Sequence, residues 1–569
     1  MLRRVGAAVA AAIAVGTVAS TTSQAAARPA AIKAGGTVNV GIFDTIPSTG
    51  WCSNSNPANS ALMVWRTIYE TLFEKTTSGQ MVGLLAESAT PSADLKTWTI
   101  KLRKGIKFSD GEPFNAEAVK TNIEYAGGHY GFGKIWLLGT AVAFIANIAE
   151  VTVKDTYTAV FRLDRAQNDL PNTLYASGRF FMRSPKMFAS ADACAKKPVG
   201  TGPFMVEDGY SLNTEKTTVV KNKNYWRKDP VTKAKLPYLD KIVFENIKEA
   251  SQRSIALRSG KVQAAMFSAA GEAKFIQDLR AKKATITEYK SPSEYYPSFW
   301  FNQAKIGSVQ SPFNVKACRE AVSYALDRKT YVKVRMRNEG TVADSLVGPS
   351  SVMYNKKNFI TYNLTKAKAK AAECKTALGK DLEFTIPSDT SSVSQNNAKE
   401  IQSQLAKANI TMNIKTEESA EIIKTAFKAI AGNQYQAIPI LLMEGTDVSF
   451  NLPFLVTNMF TASSTNPAKS LKGAVGSILN LNRHTDTKVD EILYAGEAAK
   501  SAAAAKKKYQ EATAYIQKEA LMTSINRFYY DFFTNKKIGG VGKLQLVKGK
   551  TQRIVTNWGI DWTGVYLKG

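Results

Sequence analysis

The sequence predicts a mixed α/β (α+β) protein built from several lobes, and three observations carry that prediction. Segments of period two and period 3.6 alternate along the whole length, with no block of strands followed by a block of helices. The 569 residues are 44% hydrophobic and 21% charged. That is enough to bury ordinary cores, and the length corresponds to roughly two to four domains. No internal repeat, low-complexity tract or long polar linker separates the parts.

Taken in order, Met1-Leu2-Arg3-Arg4 is a basic start, and Val5–Val18 is apolar but too short to span a bilayer comfortably. Small residues at Ser23-Gln24-Ala25 and Ala25-Ala26-Ala27 offer cleavage sites. Residues 1–27 therefore read as a secretory signal peptide, cleaved on export. No cysteine directly follows the apolar run, so a lipid anchor is not expected. Val38, Val40 and Ile42 alternate with polar or small residues as a half-buried strand, and Ala61–Phe73 follows as a helix with Leu62, Trp65, Ile68, Tyr69 and Leu72 on one stripe. Trp98, Ile100 and Leu102 form a strand that turns at Lys104-Gly105 into Ile106-Lys107-Phe108, and Asp110-Gly111 turns again. Asn115 caps a helix carrying Val119 and Ile123, with Glu117 near its positive end. Val151, Val153 and Ala159-Val160-Phe161 predict a hairpin, and Gly200-Thr201-Gly202-Pro203-Phe204 a tight turn into a strand. Helices are expected at Val315–Val334, Thr365–Leu378, Ser394–Ala408 and Ala502–Ala520, with strands at Asp381–Ile386, Thr411–Lys415 and Ala437–Leu442.

Enzyme and nucleic-acid chemistry find little support. The two histidines, His129 and His484, have no metal-ligand partner at helical spacing, and the four cysteines contain no C-x-x-C, so neither a metal site nor any other cofactor is expected. Disulfides are the better reading of Cys52, Cys194, Cys318 and Cys374, with three pairings open. Gly128-His129-Tyr130-Gly131-Phe132-Gly133-Lys134 has phosphate-loop spacing, but Ile135 stands where Ser or Thr must hold Mg²⁺. The formal charge of +28 is large, yet the lysines are scattered instead of lying on one aromatic-flanked stripe, which argues against nucleic acid.

Several segments in fixed order resemble one family, the extracellular solute-binding proteins of peptide-type ABC importers, family 5. They are Ile68-Tyr69-Glu70-Thr71-Leu72-Phe73-Glu74, Leu84-Leu85-Ala86-Glu87-Ser88, the run from Trp98 to Gly111, Asn115-Ala116-Glu117-Ala118-Val119, Gly200–Phe204 and Asn222-Lys223-Asn224-Tyr225-Trp226. Leu257–Val262, Phe301-Asn302, Val315–Ala321 and Ala325-Leu326-Asp327-Arg328 continue the match. The resemblance implies a two-lobed periplasmic-binding-protein-like clamp with an inserted subdomain in the first lobe. The first lobe would be 36–67, 197–290 and 536–569, the insert 68–196 and the second lobe 291–535. Crossings near Lys290-Ser291-Pro292 and Thr534-Asn535 would be the hinge. That arrangement favours bridges Cys52–Cys194 and Cys318–Cys374, each inside one lobe.

The resemblance also implies ligand contacts. Asp447 matches the place of an aspartate that pairs with a ligand's α-amino group, although the tryptophan usual just before it is replaced near Met443-Glu444. Asn302 would present an amide to the cleft, Ser177 and Arg179 lie in a cleft-facing segment where Arg179 meets a carboxylate, Thr45 and Trp51 follow the first strand, and Trp300 and Trp558 wall an apolar pocket. The implied function is capture of an oligopeptide or peptide-like solute for delivery to ABC permease subunits, by a non-enzymatic monomer. The alternatives are a secreted hydrolase with an unrecognised carboxylate pair and a ligand sensor on the same fold. Loss of Arg3 and Arg4 with the leader takes the charge from +28 to +26, and a diffusely basic exported chain is expected to associate with anionic cell-envelope polymers.

Overall fold

The computed structural model describes residues 32–43, 51, 59–127, 143–190, 192–193, 197–208, 215–291, 295–306, 308–426, 435–444, 448–457, 479–547, 550–551 and 559–569. Residues 1–31, Cys52, Cys194, His129 and the glycine-rich run at 128–134 lie outside the described residues.

The first lobe is organised on a seven-stranded sheet in the order Phe204–Val206, Lys216–Lys221, Lys241–Asn246, Thr37–Ile42, Ala264–Ser268, Tyr530–Asn535, Ile286–Lys290. The three central strands run parallel and the outer pairs antiparallel. Val38 and Val40 are fully buried on the central strand, as their alternation requires. The insert is a four-stranded antiparallel sheet of Ala86–Pro91, Thr97–Leu102, Thr158–Leu163 and Ile148–Asp155. The helix Ala116–Ala126 packs on it, capped by Asn115, whose Oδ1 accepts from the Ala118 N–H at 2.9 Å.

The second lobe centres on Tyr295–Phe301, between Ala437–Glu444 and Met522–Ser524. Pro297 is tolerated in this central strand because a bulge falls between Tyr296 and Pro297, where no ladder N–H is needed. Glu383–Asp389 and Thr411–Glu417 pair in parallel, joined by the crossover helix Ser392–Ala406. A disulfide links Cys318 on the helix Lys316–Ala325 to Cys374 on the helix Leu364–Leu378. Closing this loop of 56 positions restricts the unfolded chain, which is worth roughly 4 kcal/mol in the loop-entropy account.

Three expectations are corrected. The helix predicted over Ala61–Phe73 spans Asn59–Ile68, and Glu70–Thr71 and Phe73–Lys75 are short strands. Tertiary contacts override the helical stripe there. The Gly202 N–H donates to the Ile68 carbonyl at 2.8 Å, and a Cβ on Gly200 or Gly202 would lie 2.2 or 2.5 Å from that oxygen. Only glycine therefore lets the 200–204 turn back onto the helix end. Val315–Val334 is two helices, Lys316–Ala325 and Arg328–Met336, because Asp327 leaves the helical conformation to cap the second, accepting from the Thr330 N–H. The return crossing expected at Thr534-Asn535 lies earlier, since Tyr530–Asn535 is already hydrogen-bonded into the first-lobe sheet on both sides.

Candidate functional site

The insert and the second lobe meet where the turn Tyr175–Phe180 approaches the helix Val448–Leu455. Ala176, Ser177 and Gly178 have φ of 43°, 54° and 82°, a left-handed run that costs of order 1–3 kcal/mol at each non-glycine position. The run is held by Arg66, whose Nη1 donates to the Gly178 carbonyl at 3.0 Å while its Nη2 pairs with the buried carboxylate of Glu74. Arg179 is thereby carried to within 5.0 Å of the Phe450 ring centroid. Phe450 stacks on Phe144 at 5.2 Å and lies 5.7 Å from Phe454, which in turn meets Trp300 edge-on at 6.3 Å. Arg179 and Phe144 from the insert therefore both meet Phe450 of the second lobe, the cation–ring contact being worth about 0.5–2 kcal/mol according to its desolvation.

A second seam lies nearby. Asn168 donates from its backbone to the Glu497 carbonyl at 2.8 Å and from Nδ2 to the Gly496 and Ala499 carbonyls at 3.0 and 2.8 Å. The Arg165 guanidinium lies 4.0 Å over the Tyr494 ring and 3.9 Å from Glu497. Burial pushes the Glu497 carboxyl up to about 7, against the opposing pull of Arg165.

Of the residues singled out in the sequence, Arg179 and Ser177 stand at the first seam, both half-buried. Trp300 is fully buried behind it, on the middle strand of three. Trp51 is fully buried 5.8 Å from Trp65, and its carbonyl accepts from Arg183 Nε at 3.4 Å. The Asn302 side chain is buried, with Nδ2 donating to the Tyr435 carbonyl at 3.0 Å and Oδ1 accepting from the Ala304 N–H at 3.0 Å. Thr45, Asp447 and Trp558 lie outside the described residues. On either side of Asp447, Ala437–Glu444 belongs to the second-lobe sheet and Val448–Leu455 is the seam helix. Phe450, Phe144, Arg165, Asn168 and Glu497 were not anticipated. Their only sequence signal is residue type, and their pairing joins positions hundreds of residues apart.

His484 is buried, its Nε2 is 2.8 Å from the Leu455 carbonyl, and burial lowers its pKa, so it stays neutral. No group of three or more His, Cys, Asp or Glu side chains suited to a metal occurs among the described residues. No helix among them is long and apolar enough to cross a membrane.

Comparison with known proteins places this geometry. Residues 80–466 match the family model described as bacterial extracellular solute-binding proteins, family 5 middle. The glutathione-binding protein GsiB of Escherichia coli K12 is 31% identical over 293 residues, covering 50% of this chain and 52% of that protein. The nickel-binding periplasmic protein of the same strain is 27% identical over 322 residues, covering 53% and 56%. The chain thus spans about half the length of the curated relatives it matches. Among solved structures, the periplasmic binding protein AgaA with agropinic acid, from A. tumefaciens R10, superposes with a TM-score of 0.76 at 21% identity, covering 94% of this chain and 99% of that one. The periplasmic binding protein DppA of Helicobacter pylori with the peptide STSA gives 0.74 at 22%, again over 94% and 99%. These structures share the two-lobed fold, and with the family model matched over more than half its length the chain belongs to the bacterial extracellular solute-binding proteins of family 5.

Proposed function

We propose that the protein is an extracytoplasmic solute receptor, exported by residues 1–27, which captures an oligopeptide or peptide-like compound between its lobes and presents it to the permease subunits of an ABC importer. The observation that carries this reading is the seam of Arg179 on Phe450, with the Asn168 and Arg165 contacts beside it, because these contacts join groups from different lobes. A solute touching both lobes then shifts the open–closed equilibrium by its differential affinity, and no covalent step is needed. A peptide-like solute is favoured because the similar proteins include ones named for glutathione and solved with peptides. Asp447 is the proposed partner of a ligand α-ammonium group, an oriented charge-assisted contact. Diffuse positive charge would hold the released receptor near anionic envelope polymers.

Native mass spectrometry of the purified protein is expected to show a co-purified ligand mass. Titration calorimetry with that compound is expected to show saturable binding without turnover, weakened more than tenfold in Asp447→Ala when the ligand carries a free α-amino group. Product formation would favour the hydrolase reading, and unchanged affinity in the variant would remove Asp447 from the site.

A further inference from the structure

The segment Leu479–His484 has a concentration of buried polar groups that its own lobe leaves unanswered. Asn480, Asn482 and His484 are 2%, 1% and 4% exposed, between the fully buried Leu479 and Leu481. The backbone is pinned. The Arg483 N–H donates to the Asn480 carbonyl at 3.0 Å, the Gln303 N–H to the Asn482 carbonyl at 2.8 Å, and Arg483 is held in the left-handed region at φ 49°. Asn480 Nδ2 donates to the His484 carbonyl at 3.0 Å, which fixes the orientation of that amide. Against this rigid frame, Asn480 Oδ1, Asn482 Oδ1, Arg483 Nε and Nη2, His484 Nδ1 and Gln303 Nε2 are buried without a hydrogen-bond partner. Folded proteins leave only a few such atoms per hundred residues, so this many in one segment and its neighbour calls for a partner.

The charge is uncompensated as well. Burial lowers the Arg483 pKa to about 10, and no carboxylate among the described residues opposes it, so the guanidinium remains cationic at neutral pH. The nearby acids are engaged elsewhere. Asp490 accepts from the Thr457 N–H and hydroxyl at 2.8 and 2.6 Å, and Asp486 accepts from the Tyr515 hydroxyl at 2.8 Å and the Lys488 N–H. Arg319, the other nearby cation, is spent on the carbonyls of Phe313, Asn314, Glu519 and Ala520.

The chemistry of the free atoms defines what would fit. Nε and Nη2 are the two donors on one edge of the guanidinium, the fork that takes both oxygens of a carboxylate. Gln303 Nε2 adds a donor, and the two asparagine oxygens accept from N–H groups beside the carboxylate. We propose that Arg483, Gln303, Asn480 and Asn482 form a carboxylate-binding subsite in the second lobe, for a small solute group bearing N–H donors next to its carboxylate. The site adjoins the seam helix Val448–Leu455 through the His484–Leu455 hydrogen bond. It stands on these atoms and not on the identity of the transported solute.

The test uses the full mature chain, with sodium acetate as the carboxylate probe against sodium chloride at equal ionic strength. Acetate is expected to raise the thermal midpoint, as any ligand selective for the folded state does, and calorimetry is expected to show 1:1 binding. Arg483→Lys keeps the charge but loses the fork, and should weaken acetate binding more than tenfold. Gln303→Leu, at the half-buried rim, gives a second reading with a smaller loss if the arginine variant does not fold. Arg162→Gln, an exposed arginine beside Glu150 on the insert sheet and away from both seams, should leave the acetate effect unchanged, which separates this site from a general effect of surface charge. No acetate-specific shift in the native sequence would mean that ordered water alone satisfies these atoms and would overturn the proposal, as would a shift that persists in both Arg483→Lys and Gln303→Leu.

Discussion

Replacing Glu70 by alanine lowers the unfolding free energy by about 3–5 kcal/mol, the range for breaking a buried charged network by removing one partner. Glu70 is 5% exposed and accepts from the Tyr225 hydroxyl at 2.7 Å, Trp226 Nε1 at 2.8 Å and the Thr201 hydroxyl at 2.9 Å, beside the buried guanidinium of Arg227. Burial raises the Glu70 pKa, opposed by Arg227 and by those three donors. Alanine would strand all three donors and leave Arg227 without its neighbour. Glu70→Gln keeps the shape but turns an acceptor into a donor facing other donors, so an intermediate loss is expected. Denaturant unfolding of both variants measures this, and a loss below about 1 kcal/mol in Glu70→Ala would show that the node is dispensable.

Asp531→Asn stabilises the protein at pH 8 by about 2–4 kcal/mol and leaves it nearly unchanged at pH 4. Asp531 is fully buried in the strand Tyr530–Asn535, just after the chain returns to the first lobe. Burial pushes its carboxyl up to about 7. The Glu288 carboxylate pushes the same way, and Lys290 and Arg280 oppose. Arg280 is itself shared between Glu288 at 2.6 Å and Glu339 of the second lobe at 2.8 Å. Because the folded pKa lies above the unfolded one, the folded chain holds a proton between about pH 4 and 7 that the unfolded chain has released. Stability therefore falls as pH rises through that window and stays reduced above it. The asparagine variant carries no charge to bury and escapes the loss. Thermal midpoints of both proteins at pH 4, 6 and 8 read the difference, and parallel curves for the two would remove Asp531 as its source.

The two predictions rest on residues with different visibility in the sequence. Glu70, Thr201, Tyr225 and Trp226 all lie in segments that carried the family resemblance, yet those segments build a buried node between the first lobe and the insert. Their recurrence therefore reports architecture, and it named no ligand contact. Asp531 stands in the segment Tyr530-Asp531-Phe532-Phe533 and carries no motif. Its character comes first from burial, then from Lys290 and Glu288 on the neighbouring strand. Arg179 was singled out through the resemblance, whereas its partner Phe450 was not, because an isolated phenylalanine is core far more often than seam.

By itself the sequence determined the mixed class, the alternating strand Thr37–Ile42, the hairpin Ile148–Asp155 with Thr158–Leu163, and the capped helix Ala116–Ala126. Periodicity and capping are local, and nothing distant needed to be known. Only the tertiary structure decided that the helix stops at Ile68, where two glycines bring a distant turn onto its last carbonyl. It also decided that the Asn302 amide is held by the Tyr435 carbonyl, that Arg179 meets Phe450, and that the half-buried Arg483 has no carboxylate set against it among the described residues. Burial and pairing are properties of neighbours across space, so a residue's charge state and function were settled only once those neighbours were in place.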